Sequence, residues 1–555
     1  MIHTLKNILA VLNGKEKKRF VFLIVLDIFI SILDIASLAF LLFIIRFYLQ
    51  PVQEKDFTFL ISWLPDHQSL VLISFFAFLF GMKNWLGILI SGAQFKFISK
   101  VAVRISRSKL NRYQHSGFWE FVNTDSSTQI RSIAFDPFEF SQYILSGIQQ
   151  IITQCSLILL TITAIILFDA KLFLLLLLTL LPPVIIVFYL IKKKLFVARQ
   201  HIQENNENSF RYLLDALKGF VESNIFQRNG FFLSRFTHAR EQFSNHLFNS
   251  LALQQMPSRI IEIFAVLGLF ILILIAKWNG NDNSSLLISI GAFMGAAYKI
   301  IPGIVKVINT TGQIKSYELT INGLKTMNDI DKAAMPLAGD EKIETIEFKG
   351  VHFRYNNDPV LTGLSFSICK GDFIGISGAS GKGKTTIMNL VLGFLSPLKG
   401  EILINGRSVA GEEIKKFWLS FSYAKQQSFL INDSILRNIS FEESGYDKAS
   451  LDNAVKISGL GEILLKFPEG LETRITENGK NLSGGQQQRI ALARALYKNA
   501  EVVLLDEPFN ELDEEATQKL LIHFRELAAA GKLVVMITHD KNSLSFCNKI
   551  ISLDQ

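Results

Sequence analysis

Two stretches of this chain have the composition of a phosphate cradle. In "GASGKGKTT", Gly378–Thr386, every fixed position of the G-x-x-x-x-G-K-[ST] loop is filled. About a hundred residues later "NLSGGQQQR", Asn481–Arg489, is a second glycine turn that opens a helix, where unpaired N–H groups and the helix dipole suit an anion. The first stretch follows the apolar run "FIGIS" and leads into "TTIMNLVLGF", the strand–turn–helix context the loop requires. Its backbone N–H groups from Ser380 through Gly381, Lys382, Gly383 and Lys384 to Thr385 surround a β-phosphate, with Gly378 and Thr386 at the loop's two ends. Lys384 reaches the β- and γ-oxygens, and the Thr385 hydroxyl suits Mg²⁺. Further on, the strand-like "EVVLLDEPFNELD" ends in two adjacent carboxylates. Asp506 is suited to hold Mg²⁺ through water and Glu507 to polarise an attacking water. His539 ends a further strand, "KLVVMITHD", within reach of a γ-phosphate, although a lone histidine at a strand end more often serves structure. The set reads as a site for a nucleoside triphosphate.

The elements that carry these residues lie in the second half of the chain. Of 555 residues, 49% are hydrophobic and 19% charged, with a formal charge of +8, which is enough chain for at least two domains. From Phe20 to about Val307 the apolar residues form runs long enough to cross a hydrocarbon layer. After Lys342 they give way to short β-like runs alternating with helical stretches, the pattern of an α/β domain. Six spans are predicted, at 20–48, 68–95, 139–168, 171–192, 260–277 and 284–308. An even number puts both termini on one side. Lys15, Lys17, Lys18 and Arg19 before the first span and Lys192, Lys193 and Lys194 after the fourth make that side cytosolic. The connections at Glu54 to Asp66, at Asp169 and at Gly280 to Ser285 carry little positive charge and read as outward loops. The first span is too long, and too richly followed by others, for a cleaved leader. Because the basic residues cluster beside apolar runs, they are explained by orientation in a membrane and not by nucleic acid.

Two connections, Gln94 to Phe138 and Leu195 to Arg259, exceed what a loop needs and read as transmembrane helices continuing into the cytosol. About 30 residues of helix reach about 45 Å. Each has a break, at "SGFWEFVNTDSS" and at "LKGFVESNIF", where the chain turns back and offers a contact for the soluble domain. The segment 329–342, "DIDKAAMPLAGDEK", has the Pro, Gly and charge of a linker between a transmembrane domain, 1–328, and a soluble domain, 343–555. Cys155, Cys369 and Cys547 are isolated, without metal-binding spacing, and read as free thiols.

The ordered set of soluble-domain motifs resembles the ATP-binding cassette (ABC) transporters, whose signature is "LSGGQ", here Leu482–Gln486. The resemblance covers the whole chain and is closest to an exporter half-transporter of bacterial type. It implies an α-helical six-span transmembrane domain with long cytosolic helical extensions, followed by an α/β P-loop nucleotide-binding domain in the inner membrane, using ATP and Mg²⁺. It also implies that Tyr355 in "FRYNN" stacks on adenine, that Gln426 in "YAKQQSFL" meets Mg²⁺ and the attacking water, and that Asp513 closes the loop after Glu507. The stretch Thr476–Gly479 would contact the coupling turns. The chain departs from the pattern in Lys382 for a small residue, Lys425 for the Pro that often precedes the glutamine, and Asn510 for Ser. By the same resemblance two cassettes meet head to tail, so each ATP lies between the phosphate loop of one chain and Ser483, Gly484, Gly485 and Gln486 of the other. A chain with one cassette then needs a second copy of itself, or a related chain, to act.

What such a protein moves is asked of the membrane half. Ionisable groups within spans are costly and by default functional. Counting about 1.5 Å per residue puts Lys83 and Lys299 at similar depth, about 21–22 Å from the outer ends of their spans. Arg259 stands at the inner mouth of the fifth span, and Asp27 and Asp34, seven apart, share a face of the first. Two readings stay open: structural ion pairs between these carboxylates and the lysines, or a basic vestibule that receives an anionic headgroup. The strings "MPSRIIEIF" and "AAYKIIPG" are similar to those of bacterial flippases of lipid-linked oligosaccharides, which implies a lipid-like or amphipathic anionic cargo. Peptide or drug export, and an ATP-gated channel or regulator, are the alternatives.

Overall fold

The computed structural model describes residues 2–49, 70–278, 283–317, 324, 342–356, 358–409 and 411–554. The chain divides into two compact units, Met1–Ala333 and Ala334–Gln555. The expected linker lies outside the described residues except for Lys342.

The first unit is helical. A short helix α1, Ile2–Val11, precedes α2, Gly14–Leu49, and α3, Val71–Gln114, which ends at His115. The break expected near "SGFWEFVNTDSS" holds one short helix, α4, Phe118–Asn123, with Trp119, Phe121 and Val122 exposed. The chain returns as α5, Ser126–Phe168. Pro137, which has no N–H to give, sits in this helix between two π-helical stretches, Arg131–Phe135 and Phe140–Leu145. Next comes α6, Ala170–Lys218, which Asp169 caps by accepting from the Lys171 and Leu172 N–H groups. The second break holds α7, Phe220–Ile225, and α8, Asn229–Trp278, follows; α9 is Asn283–Ser316. Both extensions are thus continuous with the apolar helices, as their helix-forming composition predicts. Among the described residues, five helices are long and apolar enough to cross a membrane. The expected fourth span, 171–192, lies on α6, whose described apolar stretch, Ala170–Ile186, falls short of that length.

The second unit holds two sheets. An antiparallel sheet has the order β2–β1–β4–β5, from β1 Thr345–Tyr355, β2 Asp358–Cys369, β4 Lys399–Ile404 and β5 Arg407–Ser408. A parallel sheet has the order β6–β7–β8–β3–β9, from β3 Phe373–Ser377, β6 Phe421–Ala424, β7 Val502–Asp506, β8 Leu533–Ile537 and β9 Lys549–Ser552. Every residue of β7 and β8 is buried, which is why "VVLLD" and "LVVMI" are continuous apolar runs and do not alternate. The longer α-helices of the unit are α10, Lys384–Val391, α11, Ile435–Ser440, α12, Lys448–Ile457, α13, Gly484–Tyr497, and α14, Glu514–Ala529. The register sets Ala424 beside Leu505 and Asp506 beside Ile537, while Ile376 also pairs Ile537. The carboxyl ends of β6, β7, β8 and β3 therefore lie in a row, the edge of an open α/β sheet where ligands bind.

Candidate functional site

Each of those four strand ends delivers one part of a site. After β3 the chain turns through Gly378–Gly383 into α10. Gly383 has φ +90°, and a Cβ there would lie 2.7 Å from Val360, so only glycine fits. The loop folds around its own lysine, as Lys384 Nζ donates to the carbonyls of Gly378 at 2.8 Å and Ala379 at 3.1 Å. Ser380 and Lys382 are exposed. Lys382 gives its backbone N–H to the Ala379 carbonyl.

The end of β7 supplies the acids. Asp506 is buried, and its Oδ2 accepts from Thr385 Oγ1 at 3.5 Å and from Tyr423 OH, on β6, at 3.3 Å. Burial pushes its carboxyl above the ordinary range, with the neighbouring Glu507 adding to the rise. A hydroxyl and a carboxylate this close form a hard oxygen donor set, the kind that fits Mg²⁺. Glu507 continues the ladder by donating its N–H to the Ile537 carbonyl, but its φ is +47°. A non-glycine residue in that region costs of order 1–3 kcal/mol, and such strain gathers at sites that use it. Its side chain is held on both oxygens. Oε2 accepts from Gln426 Nε2, beyond β6, at 2.6 Å and from Asn510 Nδ2 at 2.8 Å, and Oε1 lies 3.2 Å from His539 Nε2, beyond β8. The structure thus brings Gln426, Glu507 and His539 together. It adds Asn510 and Tyr423, which sequence reasoning missed as site residues. Only the departure of Asn510 from serine had marked it.

Tyr355, at the end of β1, packs edge-on against Phe353, and its OH lies 3.4 Å from Thr386 Oγ1. The second cradle is a well-formed helix start. Ser483 caps α13 by accepting from the Gln486 N–H, while the Gln486 side chain accepts from the Ser483 N–H, a reciprocal capping box. Gly484 and Gly485 press on the loop after Glu507, since a Cβ on Gly485 would lie 2.7 Å from the Glu511 carbonyl. Gln488, one turn further, ties that loop by donating to the Glu507 carbonyl and accepting from the Glu511 N–H. Asp513 caps α14 and pairs with Arg489 at 3.0 Å.

In the helical unit the charged residues separate into two groups. Asp34 Oδ1 meets Lys83 Nζ at 2.5 Å and Lys299 Nζ at 3.3 Å, joining α2, α3 and α9. Lys83, also over the Phe80 ring, is 8% exposed in its side chain and Lys299 23%. Asp27 pairs with no lysine among the described residues. It accepts from Gln94, Gln149 and Thr153 at 2.5, 2.8 and 3.2 Å. Of the two readings left open, the ion pair with the lysines is formed by Asp34, while Asp27 lies two helical turns from the lysine level with neutral donors filling its shell. Arg259 belongs to neither group, being exposed and 3.6 Å from Glu262.

The second unit thus carries a P-loop nucleotide site of the ABC kind, on the same chain as a unit with helices of membrane length. Residues 361–510 match the ABC transporter family model. Among similar proteins is an ATP-dependent lipid A-core flippase of Saccharophagus degradans, 36% identical over 40% of this chain and 39% of its own length. Flippases of the same description from Cupriavidus pinatubonensis and Burkholderia orbicola are 28% and 25% identical, over 62% and 82% of this chain and 60% and 77% of theirs. The matches thus span less than two thirds of the first two relatives' lengths. In fold, the chain is similar to a bacterial Atm1-family ABC exporter solved with ATP bound, with TM-score 0.75 and 19% identity over 98% of this chain and 94% of that one.

Proposed function

We propose that the protein is an ATP-driven exporter or flippase of an anionic, lipid-like amphiphile, working as a dimer of two copies with two shared ATP sites. The proposal includes six spans, α6 providing the fourth, domains at 1–328 and 343–555 with a linker at 329–342, both termini cytosolic, and the bacterial inner membrane as location. The observation that carries it is the row of strand ends, where a phosphate loop, a buried Asp506 and a tethered Glu507 stand side by side in a chain that also has membrane-length helices.

In this reading Lys384 leaves the carbonyls of its own loop for the β- and γ-phosphates, and the loop N–H groups hold the β-phosphate. Thr385, Asp506 and Gln426 hold Mg²⁺, which when bound neutralises charge developing on the phosphates. Tyr355 stacks on adenine. Glu507 takes a proton from the attacking water and His539 steadies the γ-phosphate. Ser483, Gly484, Gly485 and Gln486 close on the ATP held by the partner copy. The names of the flippase relatives and the two membrane lysines, which share a single carboxylate, favour an anionic headgroup.

The test is reconstitution in proteoliposomes with a fluorescent anionic glycolipid. Mg²⁺-dependent ATP hydrolysis and lipid translocation are expected together, and Glu507→Gln lowers both by about 10²-fold while ATP still binds. Near-normal hydrolysis by Glu507→Gln removes the assigned base. Hydrolysis without movement of the anionic lipid, but with export of a peptide or drug, replaces the cargo.

A further inference from the structure

The side chain that departs from the family pattern after β7 touches the reacting carboxylate. Asn510 Nδ2 and Gln426 Nε2 both donate to Oε2 of Glu507, at 2.8 and 2.6 Å, while Oε1 has His539 Nε2 at 3.2 Å. A carboxylate oxygen offers about two lone-pair positions, so two donors fill Oε2 and leave capacity on Oε1. We infer that Asn510 is a positioning residue for ATP hydrolysis: with Gln426 it pins Oε2 and so presents Oε1 as the atom that accepts the water proton. This rests on the reading of Glu507 as the base. In the step itself the water oxygen bonds to the γ-phosphorus as the bond to the bridging oxygen of ADP breaks, and the water proton passes to Oε1.

Three observations make Asn510 fit for this role. The turn that carries it is rigid, with Phe509 buried in the cassette core, the Leu512 N–H bonded to the Phe509 carbonyl, and Gln488 bonded to the backbone on either side, at Glu507 and Glu511. Its target needs holding, because a glutamate has three rotatable side-chain bonds and this one leaves the backbone at φ +47°. The length of the side chain also matters. Serine ends one bond earlier, about 1.3 Å short of the asparagine nitrogen, and from the same backbone it does not bridge to Oε2. The asparagine therefore gives this chain a tether on its base that the more common serine cannot make.

The test is steady-state and single-turnover ATPase of the full chain in nanodiscs, with a fluorescent ATP analogue reporting binding. Asn510→Ala is expected to lower kcat about five- to tenfold, the net worth of one ordinary hydrogen bond, with KM for ATP within about twofold. Asn510→Ser should match Asn510→Ala, and the isosteric Asn510→Asp, which sets a second carboxylate against Oε2, should lower kcat further while still binding ATP. In a Glu507→Gln background Asn510→Ala should add nothing, because it acts through the glutamate. Wild-type kcat in Asn510→Ala or Asn510→Ser overturns the proposal while leaving Glu507 as base. So does a full additional loss in the Glu507→Gln background, or a loss that appears in KM alone. If Glu507→Gln itself hydrolyses at the wild-type rate, the base reading and the tether fall together.

Discussion

Asp34 answers to two lysines at once, and that sharing dictates which substitutions are informative. Lys299→Ala leaves the 2.5 Å Lys83–Asp34 pair in place, so the protein is expected to fold and to lose stimulation by an anionic lipid. Removing both lysines strands the carboxylate among apolar helices, at a cost of about 3–5 kcal/mol, and should depress yield and thermal stability. Adding Asp34→Asn to that double variant should restore folding but not lipid transport, which an expression level and a translocation assay separate. At the cassette, burial pushes the Cys547 thiol up to about 12, whereas Cys369 is exposed. A maleimide at about pH 7.5 should therefore label Cys369 quickly and Cys547 only after unfolding. What was legible at this scale was whatever a fixed spacing carries: Lys384, Thr385, Asp506 and Glu507 follow from strand, turn and helix in one local run. Partners set by the register of distant strands were not. Nothing near Tyr423 or Gln488 in the sequence names Asp506 or the Glu507 carbonyl. The partners of Asp27 were not legible either, because Gln94, Gln149 and Thr153 are polar but uncharged and gave no charge signal.

Helix α13 does two tasks with one surface: its first turn is the signature, and its second clamps the loop that carries Glu507. Gly485→Ala drives a methyl group to 2.7 Å from a backbone oxygen that cannot rotate away. The expected result is a loss of about 1–3 kcal/mol in cassette stability together with reduced ATPase, read by thermal unfolding and turnover. On α14, His523 is held below its ordinary pKa by burial first and by Lys532, against the pull of Glu526. A base whose folded pKa is depressed contributes stability that is whole above its unfolded pKa, about 6.5, and is lost as pH falls through that value. The thermal midpoint should thus fall on acidification from pH 7 towards about 5.5, and His523→Gln should flatten that slope. Helix lengths and the two breaks in the helical extensions were readable from apolar runs, Gly and helix-forming composition. The π-helical stretches around Pro137 were not, because the proline marks a lost donor without saying how the neighbouring turns absorb it.

One chain with two phosphate cradles is a statement about assembly. If each ATP is shared between two copies, a Lys384→Ala chain mixed with a Ser483→Arg chain forms dimers with one site complete and one doubly broken. Each variant alone should be inactive, and the mixture should recover ATPase up to about a quarter of the wild-type rate, from half the dimers being mixed and one of two sites intact. Full activity of either variant by itself counts against shared sites. The membrane unit carries a consequence of a different kind. The two lysines of the partly buried triad ride on α3 and α9, while both carboxylates ride on α2. Any sliding of those helices past one another along the membrane normal moves charge through the electric field of an energised membrane. A full crossing is worth about 2.3 kcal/mol per charge at 100 mV, so a shift of a third of the thickness is worth about 0.8 kcal/mol per charge. The turnover of proteoliposomes under an imposed diffusion potential should therefore depend on its sign, and the triple variant, which keeps only Asp27 of these four charges, should depend on it less.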